Sequence, residues 1–158
     1  MSEIETVANS AGFPGPWLPL SGGTITGNVT LTNASLTVNQ HIHGGGTAPA
    51  LAMGAGAGTS PPAPVLTTGS TDLGGTITWG TGTSPNTQTQ LTITFGRPWT
   101  IPGGGGPHVV LTPNNSATAA LTLFVSGISP TGFNVGVVTA PAAAQGNTTY
   151  SLCYSVMG

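Results

Sequence analysis

Residues 148–157, Thr-Thr-Tyr-Ser-Leu-Cys-Tyr-Ser-Val-Met, alternate large apolar side chains with small ones. One face of this extended stretch carries Tyr150, Leu152, Tyr154 and Val156. Cys153 falls on the other face, because successive side chains of a strand point to opposite sides. A period of two over this length indicates a strand, and so apolar a face is typical of a central or sealing strand.

Similar short segments precede it along the chain. Strands are predicted at Gly75–Gly80, Gln88–Phe95, His108–Thr112, Thr118–Ser126 and Phe133–Val138. Stretches rich in Pro, Gly and Asn separate these segments, and the apolar residues are mostly interleaved with Thr. Short strands at this spacing predict an all-β chain whose C-terminal part, residues 71–158, is an antiparallel β-sandwich.

Charged side chains are almost missing from the 158 residues, where Glu3, Glu5, Asp72 and Arg97 are the only Asp, Glu, Lys or Arg. Nucleic-acid binding needs several Lys or Arg, so one arginine excludes a basic patch. A glycosidase needs two carboxyl groups beside the scissile bond. Two of the three carboxylates lie within the first five residues, so such a pair is not expected. The sequence therefore predicts that the protein is not an enzyme and has no catalytic residue.

The chain also lacks an apolar run of the roughly 18–20 residues that span a membrane. Its opening residues lack the basic and apolar parts of a signal peptide, which predicts synthesis in the cytoplasm. Cys153 is the single cysteine and is expected to be a small buried side chain.

Composition divides the chain into four parts. Residues 1–20 form a proline-rich extended arm, residues 21–46 a short β stalk, residues 47–70 a Gly/Ala/Pro-rich linker and residues 71–158 the sandwich. The arm is predicted to anchor the chain to a partner through Phe13, Trp17, Leu18 and Leu20, because aromatic side chains held by prolines bury much apolar area at little entropic cost. The alternative is a frayed terminus.

The stalk carries two thin apolar rows on strands that meet near Asn33: Ile25, Val29 and Leu31, then Leu36, Val38 and Ile42. One chain cannot bury both rows, since an isolated hairpin is marginal in water, so three copies around an axis are expected. His41 and His43 would then point the same way and place six imidazoles at the axis, a site suited to iron or a similar divalent metal. The alternative is two exposed turn histidines.

Trp79 and Trp99 would form a sugar-stacking platform if their rings were exposed, and otherwise they belong to the core or a subunit interface. Arg97 is a candidate ion-pair partner of Asp72, within one chain or between subunits. A surface pair of that kind contributes little, about 0–1 kcal/mol.

Two stretches resemble virion fibre proteins of tailed bacteriophages. Residues 17–29, Trp-Leu-Pro-Leu-Ser-Gly-Gly-Thr-Ile-Thr-Gly-Asn-Val, resemble the "LPLSGGT-TG" junction that opens the shaft of many phage fibre and tail-collar proteins. The C-terminal part is similar to the β-sandwich tips of phage head and tail fibres, and more distantly to trimeric H-type lectin domains. The segments that carry this similarity are Asp72–Gly75, Ile93–Phe95, His108–Pro113, Gly132–Val135 and Tyr150–Gly158.

The resemblance implies a homotrimer with a β-structured shaft, located on the virion surface and without catalytic activity. With so short an arm and stalk, the chain looks more like a capsid decoration protein or head fibre, attached to the major capsid protein, than like a long tail fibre. The alternative is a tail fibre or tail-tip protein that recognises host surface glycans. Neither nucleic acid nor an inserted membrane segment is expected as a partner.

Overall fold

Eight strands form two four-stranded antiparallel sheets in the computed structural model, which describes residues 46–101, 104–143 and 148–158. The strands are β1 (Ala50–Met53), β2 (Val65–Leu66), β3 (Gly74–Trp79), β4 (Thr89–Thr94), β5 (His108–Pro113), β6 (Leu123–Ser129), β7 (Gly132–Val137) and β8 (Tyr150–Met157). Sheet A has the order β1-β4-β7-β6, and sheet B has the order β2-β3-β8-β5. The predominantly β character and the antiparallel pairing predicted from the sequence are confirmed.

The two sheets share one hydrophobic core, which gives the domain a β-sandwich-like arrangement. Sheet A supplies Leu91, Ile93, Phe133, Val135 and Val137, and sheet B supplies Ile77, Trp79, Tyr150, Leu152, Tyr154 and Val156. These residues alternate along their strands, so each strand turns one face inward and the other outward. The alternating face of β8 is buried as predicted, and β8 lies between β3 and β5 in sheet B.

The arm over residues 1–20 and the stalk over residues 21–46 lie outside the described residues, apart from Gly46. The same holds for the anchoring residues Phe13, Trp17, Leu18 and Leu20 and for His41 and His43.

Residues 47–70 differ from the linker that their composition predicts, because they contribute β1 to sheet A and β2 to sheet B. Between these strands a 3-10 turn at Ala55–Ala57 packs on the start of β4. A Cβ atom on Gly56 would overlap the backbone oxygen of Gln88. Glycine is needed at position 56 because two backbone segments approach each other closely there. The glycine content of residues 47–70 therefore reflects close packing and does not indicate a flexible linker.

The segment predicted as a strand over Thr118–Ser126 begins instead with a one-turn helix, α1 (Ser116–Ala119), and β6 starts only at Leu123. The Asn115 side chain caps the helix by accepting a hydrogen bond from the Thr118 backbone N–H at 2.9 Å. The Thr118 hydroxyl accepts from the Ser151 backbone N–H at 2.7 Å, which ties the helix to β8.

Candidate binding surfaces

The outer face of sheet B is small, neutral and rich in hydroxyl groups. The register of β3, β8 and β5 places Thr76, Cys153 and Thr112 side by side, with Ser155 in the next outward position of β8. The Thr76 hydroxyl lies 3.5 Å from the Cys153 sulfur. Cys153 lies on the face opposite the large apolar residues of β8, as the strand period predicts, but it is half-buried rather than buried. Exposed aliphatic side chains, Val65, Val110 and Met157, complete the surface.

The outer face of sheet A is equally free of charge. Its outward residues include Ala52, Thr92 and Asn134, and the exposed Phe124 ring lies over Gly136 of the neighbouring strand. Over residues 46–101, 104–143 and 148–158 the Asp and Arg side chains are those of Asp72 and Arg97, and neither belongs to a strand. The described strands therefore offer a partner hydrogen-bonding and apolar groups without an Asp, Glu, Lys or Arg side chain, and the exposed His108 of β5 adds an imidazole to the outer face of sheet B.

Asp72 joins the two sheets at one end of the domain. It lies in the turn before β3, and its carboxylate accepts hydrogen bonds from the backbone N–H groups of Gly96 (2.8 Å) and Arg97 (2.9 Å), just after β4. The sequence predicts an ion pair with the Arg97 side chain, within one chain or between subunits, whereas the contact in the structure is to the Arg97 backbone N–H. Within the described part of the chain no ion pair joins the carboxylate to the Arg97 guanidinium. A carboxylate that accepts two N–H groups is a strong, charge-assisted anchor.

Replacing Asp72 with Asn is expected to lower the free energy of unfolding by about 1–3 kcal/mol, because the amide keeps one acceptor and turns an N–H₂ group toward a backbone donor. Urea unfolding at constant protein concentration measures the change. Arg97→Gln is the matched control and is expected to stay within about 0.5 kcal/mol of wild type, since it leaves the backbone donor in place. An equal loss in both variants would show that the guanidinium carries the contact.

Tyr154 supports the same end of the domain from inside the core. Its hydroxyl donates a 2.6 Å hydrogen bond to the backbone oxygen of Thr71, next to Asp72. Burial, with a smaller contribution from the Asp72 charge, raises the pKa of Tyr154 from 10.0 to about 12. The folded state therefore favours the protonated, neutral phenol of Tyr154.

The two tryptophans of the described region occupy different places. Trp79 is 2 % exposed and stacks on its cross-strand neighbour Tyr150, with ring centroids 5.4 Å apart. Its ring belongs to the core and presents no free face for a sugar. Trp99 is half-buried and packs edge-on against Phe95 with centroids 6.1 Å apart, so its main contact is also internal.

A pocket of about 270 Å³ opens where β3 ends. Its walls come from residues 62–65, from Thr78 to Gly80 and from Thr148 and Thr149. These segments are far apart in sequence and meet because β2 and β8 flank β3 in sheet B. Among the lining residues the sequence singled out Trp79 alone, as a candidate sugar contact, because the other segments carry no motif and only the register of three strands brings them together.

The described residues contain no cluster of three or more His, Cys, Asp or Glu side chains placed to hold a metal ion. The predicted metal ligands His41 and His43 lie outside this region, so the metal site stays a prediction. No helix in the described ranges has the length and apolar character to cross a membrane.

Comparisons of the chain with protein-family models, with curated proteins and with solved structures give no significant match.

Proposed function

We propose that this chain is a structural protein of a bacteriophage virion surface, a homotrimeric capsid decoration protein or head fibre. The observation that carries the proposal is a β-sandwich-like domain whose two outer faces, in the described strands, expose Thr, Ser, Asn and apolar side chains without an Asp, Glu, Lys or Arg. The resemblance of residues 17–29 to the shaft-opening segment of phage fibres supports it independently. No catalytic residue is assigned.

Neutral outer faces suit assembly with copies of the same chain. Burying a charge in an interface is costly unless the charge is paired, and neither outer face would bring one into a trimer contact. Such a surface also resists trypsin-like proteases, since Arg97 is the only Lys or Arg and is followed by Pro98. Both properties are useful to a protein exposed on a particle.

Attachment to the particle is assigned to the arm over residues 1–20. Because the chain has few charges to steer association, the contact with the major capsid protein must depend on shape, backbone hydrogen bonds and buried apolar groups. Phe13, Trp17, Leu18 and Leu20 are the side chains in the arm best able to supply that burial.

Deletion of residues 1–20 is expected to leave a folded protein that no longer binds particles of its phage. Co-sedimentation with particles lacking the protein measures binding, and circular dichroism checks the fold. Phe124→Ser, which changes one exposed ring on the outer face of sheet A, is the control and is expected to bind as wild type does. Undiminished binding by the truncated protein would show that another surface makes the attachment.

The second candidate is a tail fibre or tail-tip protein that recognises host surface glycans, and the hydroxyl-lined pocket at the end of β3 is the observation that favours it. The two candidates share the fold and differ in where the protein sits on the particle. In either case a divalent metal such as iron at His41 and His43 of three copies remains a prediction for the stalk.

A further inference from the structure

We propose that the pocket at the end of β3 binds one neutral, hydroxyl-rich ring of the size of a hexose. The pocket is concave and partly open to solvent, and it is built by three separate segments of the chain. It adds a carbohydrate-binding site to a protein whose proposed role is structural. The site is a property of the folded domain and holds whether the chain is attached to a capsid, to a tail or to neither.

The chemistry of the walls selects the class of ligand. Three of the lining residues are threonines, Thr78, Thr148 and Thr149, and a threonine hydroxyl is able to donate one hydrogen bond and accept two. Apolar surface comes from Val65 and from the prolyl ring of Pro62. A sugar ring has the matching pattern, with hydroxyl groups at its edge and C–H groups on its faces.

The electrostatics of the pocket exclude a charged ligand. Among residues 46–101, 104–143 and 148–158, none that lines the pocket is ionisable at neutral pH. Asp72 precedes the opposite end of β3, about 16 Å away at roughly 3.3 Å per residue. A carboxylate or ammonium group that entered the pocket would lose part of its hydration without gaining a partner of opposite charge.

The volume sets the size of the ligand. Pockets for drug-sized molecules hold roughly 300–1,000 Å³, and this one holds about 270 Å³. A space just below that range suits one small ring rather than an oligosaccharide.

The test is a titration of the full-length, isotope-labelled protein with methyl α-D-glucoside, methyl α-D-galactoside and N-acetyl-D-glucosamine, followed by amide chemical shifts. We expect saturable shifts of the amides of Thr78, Thr148 and Thr149 with at least one sugar, at a dissociation constant on the order of 1–10 mM. Glucuronate, which carries a charge on a similar ring, is expected to bind at least about fivefold more weakly than its neutral counterpart.

Three pocket variants and one control variant show whether the pocket is responsible. Thr148→Val and Thr149→Val remove one hydroxyl each at constant shape, and each is expected to weaken binding about three- to tenfold. Ala63→Leu keeps every hydroxyl but fills the pocket, and it is expected to abolish binding. Thr112→Val makes the same chemical change on the outer face of sheet B away from the pocket and is expected to leave binding unchanged.

The proposal is overturned if none of the three neutral sugars gives saturable shifts at the pocket up to about 100 mM, tenfold above the weakest expected constant. It is also overturned if the shifts map elsewhere, if glucuronate binds as tightly as the neutral sugars, or if Ala63→Leu binds normally. These outcomes are independent of particle attachment, which the deletion of residues 1–20 tests.

Discussion

Phe133→Ala is expected to lower the free energy of unfolding by about 3–5 kcal/mol, the range for removing a fully buried aromatic ring from a packed core. Phe133 is 2 % exposed and lies in β7, in the middle of the shared core. Its ring centroid is 5.8 Å from that of Phe95 and 6.2 Å from that of Tyr154, so the ring links residues of both sheets. Urea unfolding followed by fluorescence measures the loss.

Phe124→Ala provides the matched control, because it removes the same atoms from a ring that is 41 % exposed on the outer face of sheet A. We expect it to cost less than half as much as Phe133→Ala. Protein concentration is held constant, since assembly would make the midpoint depend on it. Equal losses in the two variants would contradict the placement of the core between the sheets.

The stability of the protein is expected to fall between pH 10 and pH 12. The folded chain holds the Tyr154 phenol protonated up to a pKa of about 12, whereas the unfolded chain releases the proton near 10.0. The contribution of this group is therefore complete below pH 10 and is lost as the pH rises toward 12. A pKa difference of about two corresponds to at most about 2.7 kcal/mol at 1.36 kcal/mol per unit. Burial raises the pKa of Tyr150 as well, so its contribution has the same sign.

The composition makes this measurement unusually direct, because the chain has no lysine and two tyrosines. Because no lysine titrates between pH 10 and pH 12, a loss of stability in that range reports the ionisation of the tyrosine phenols. Tyr154→Phe is less stable at neutral pH, since it lacks the hydrogen bond to Thr71, but its free energy of unfolding is expected to change much less with pH. A wild-type slope retained in Tyr154→Phe would show that the loss comes from another group.

Strands with a clear period of two could be predicted from the sequence, and β3, β4, β5, β7 and β8 lie within one or two residues of the prediction. Periodicity was sufficient there because each strand buries one face against the opposite sheet. Composition failed for β1, whose residues Ala50–Met53 have little intrinsic preference for a strand. The β1 residues are held in an extended conformation by antiparallel pairing with β4 and not by their own preference for strands.

The helix α1 was missed although its signal was present, since Asn115 followed by Ser-Ala-Thr-Ala is a good start for a helix. The binding surfaces were harder to predict. The scarcity of charge suggested a side-chain pair between Asp72 and Arg97, but the donors to Asp72 are the backbone N–H groups of Gly96 and Arg97, which side-chain identity does not reveal. The pocket depends on which strands become neighbours, and sequence spacing does not determine that order.

Near absence of charge thus has specific structural consequences. One carboxylate is used to anchor the loop after β4, and both outer faces are left neutral. A partner must recognise such a protein through shape and hydrogen bonds, and the site that we propose for a neutral sugar follows the same rule. The proposed assignment to a virion surface depends on this property.

A reconstruction of the intact phage particle tests that assignment most directly. The account predicts threefold density on the capsid, with the sandwich domain pointing outward and residues 1–20 in contact with the major capsid protein. Density at the tail tip would favour the second candidate. Particles that contain no copy of the chain, established by mass spectrometry of the same sample, would contradict a virion role altogether.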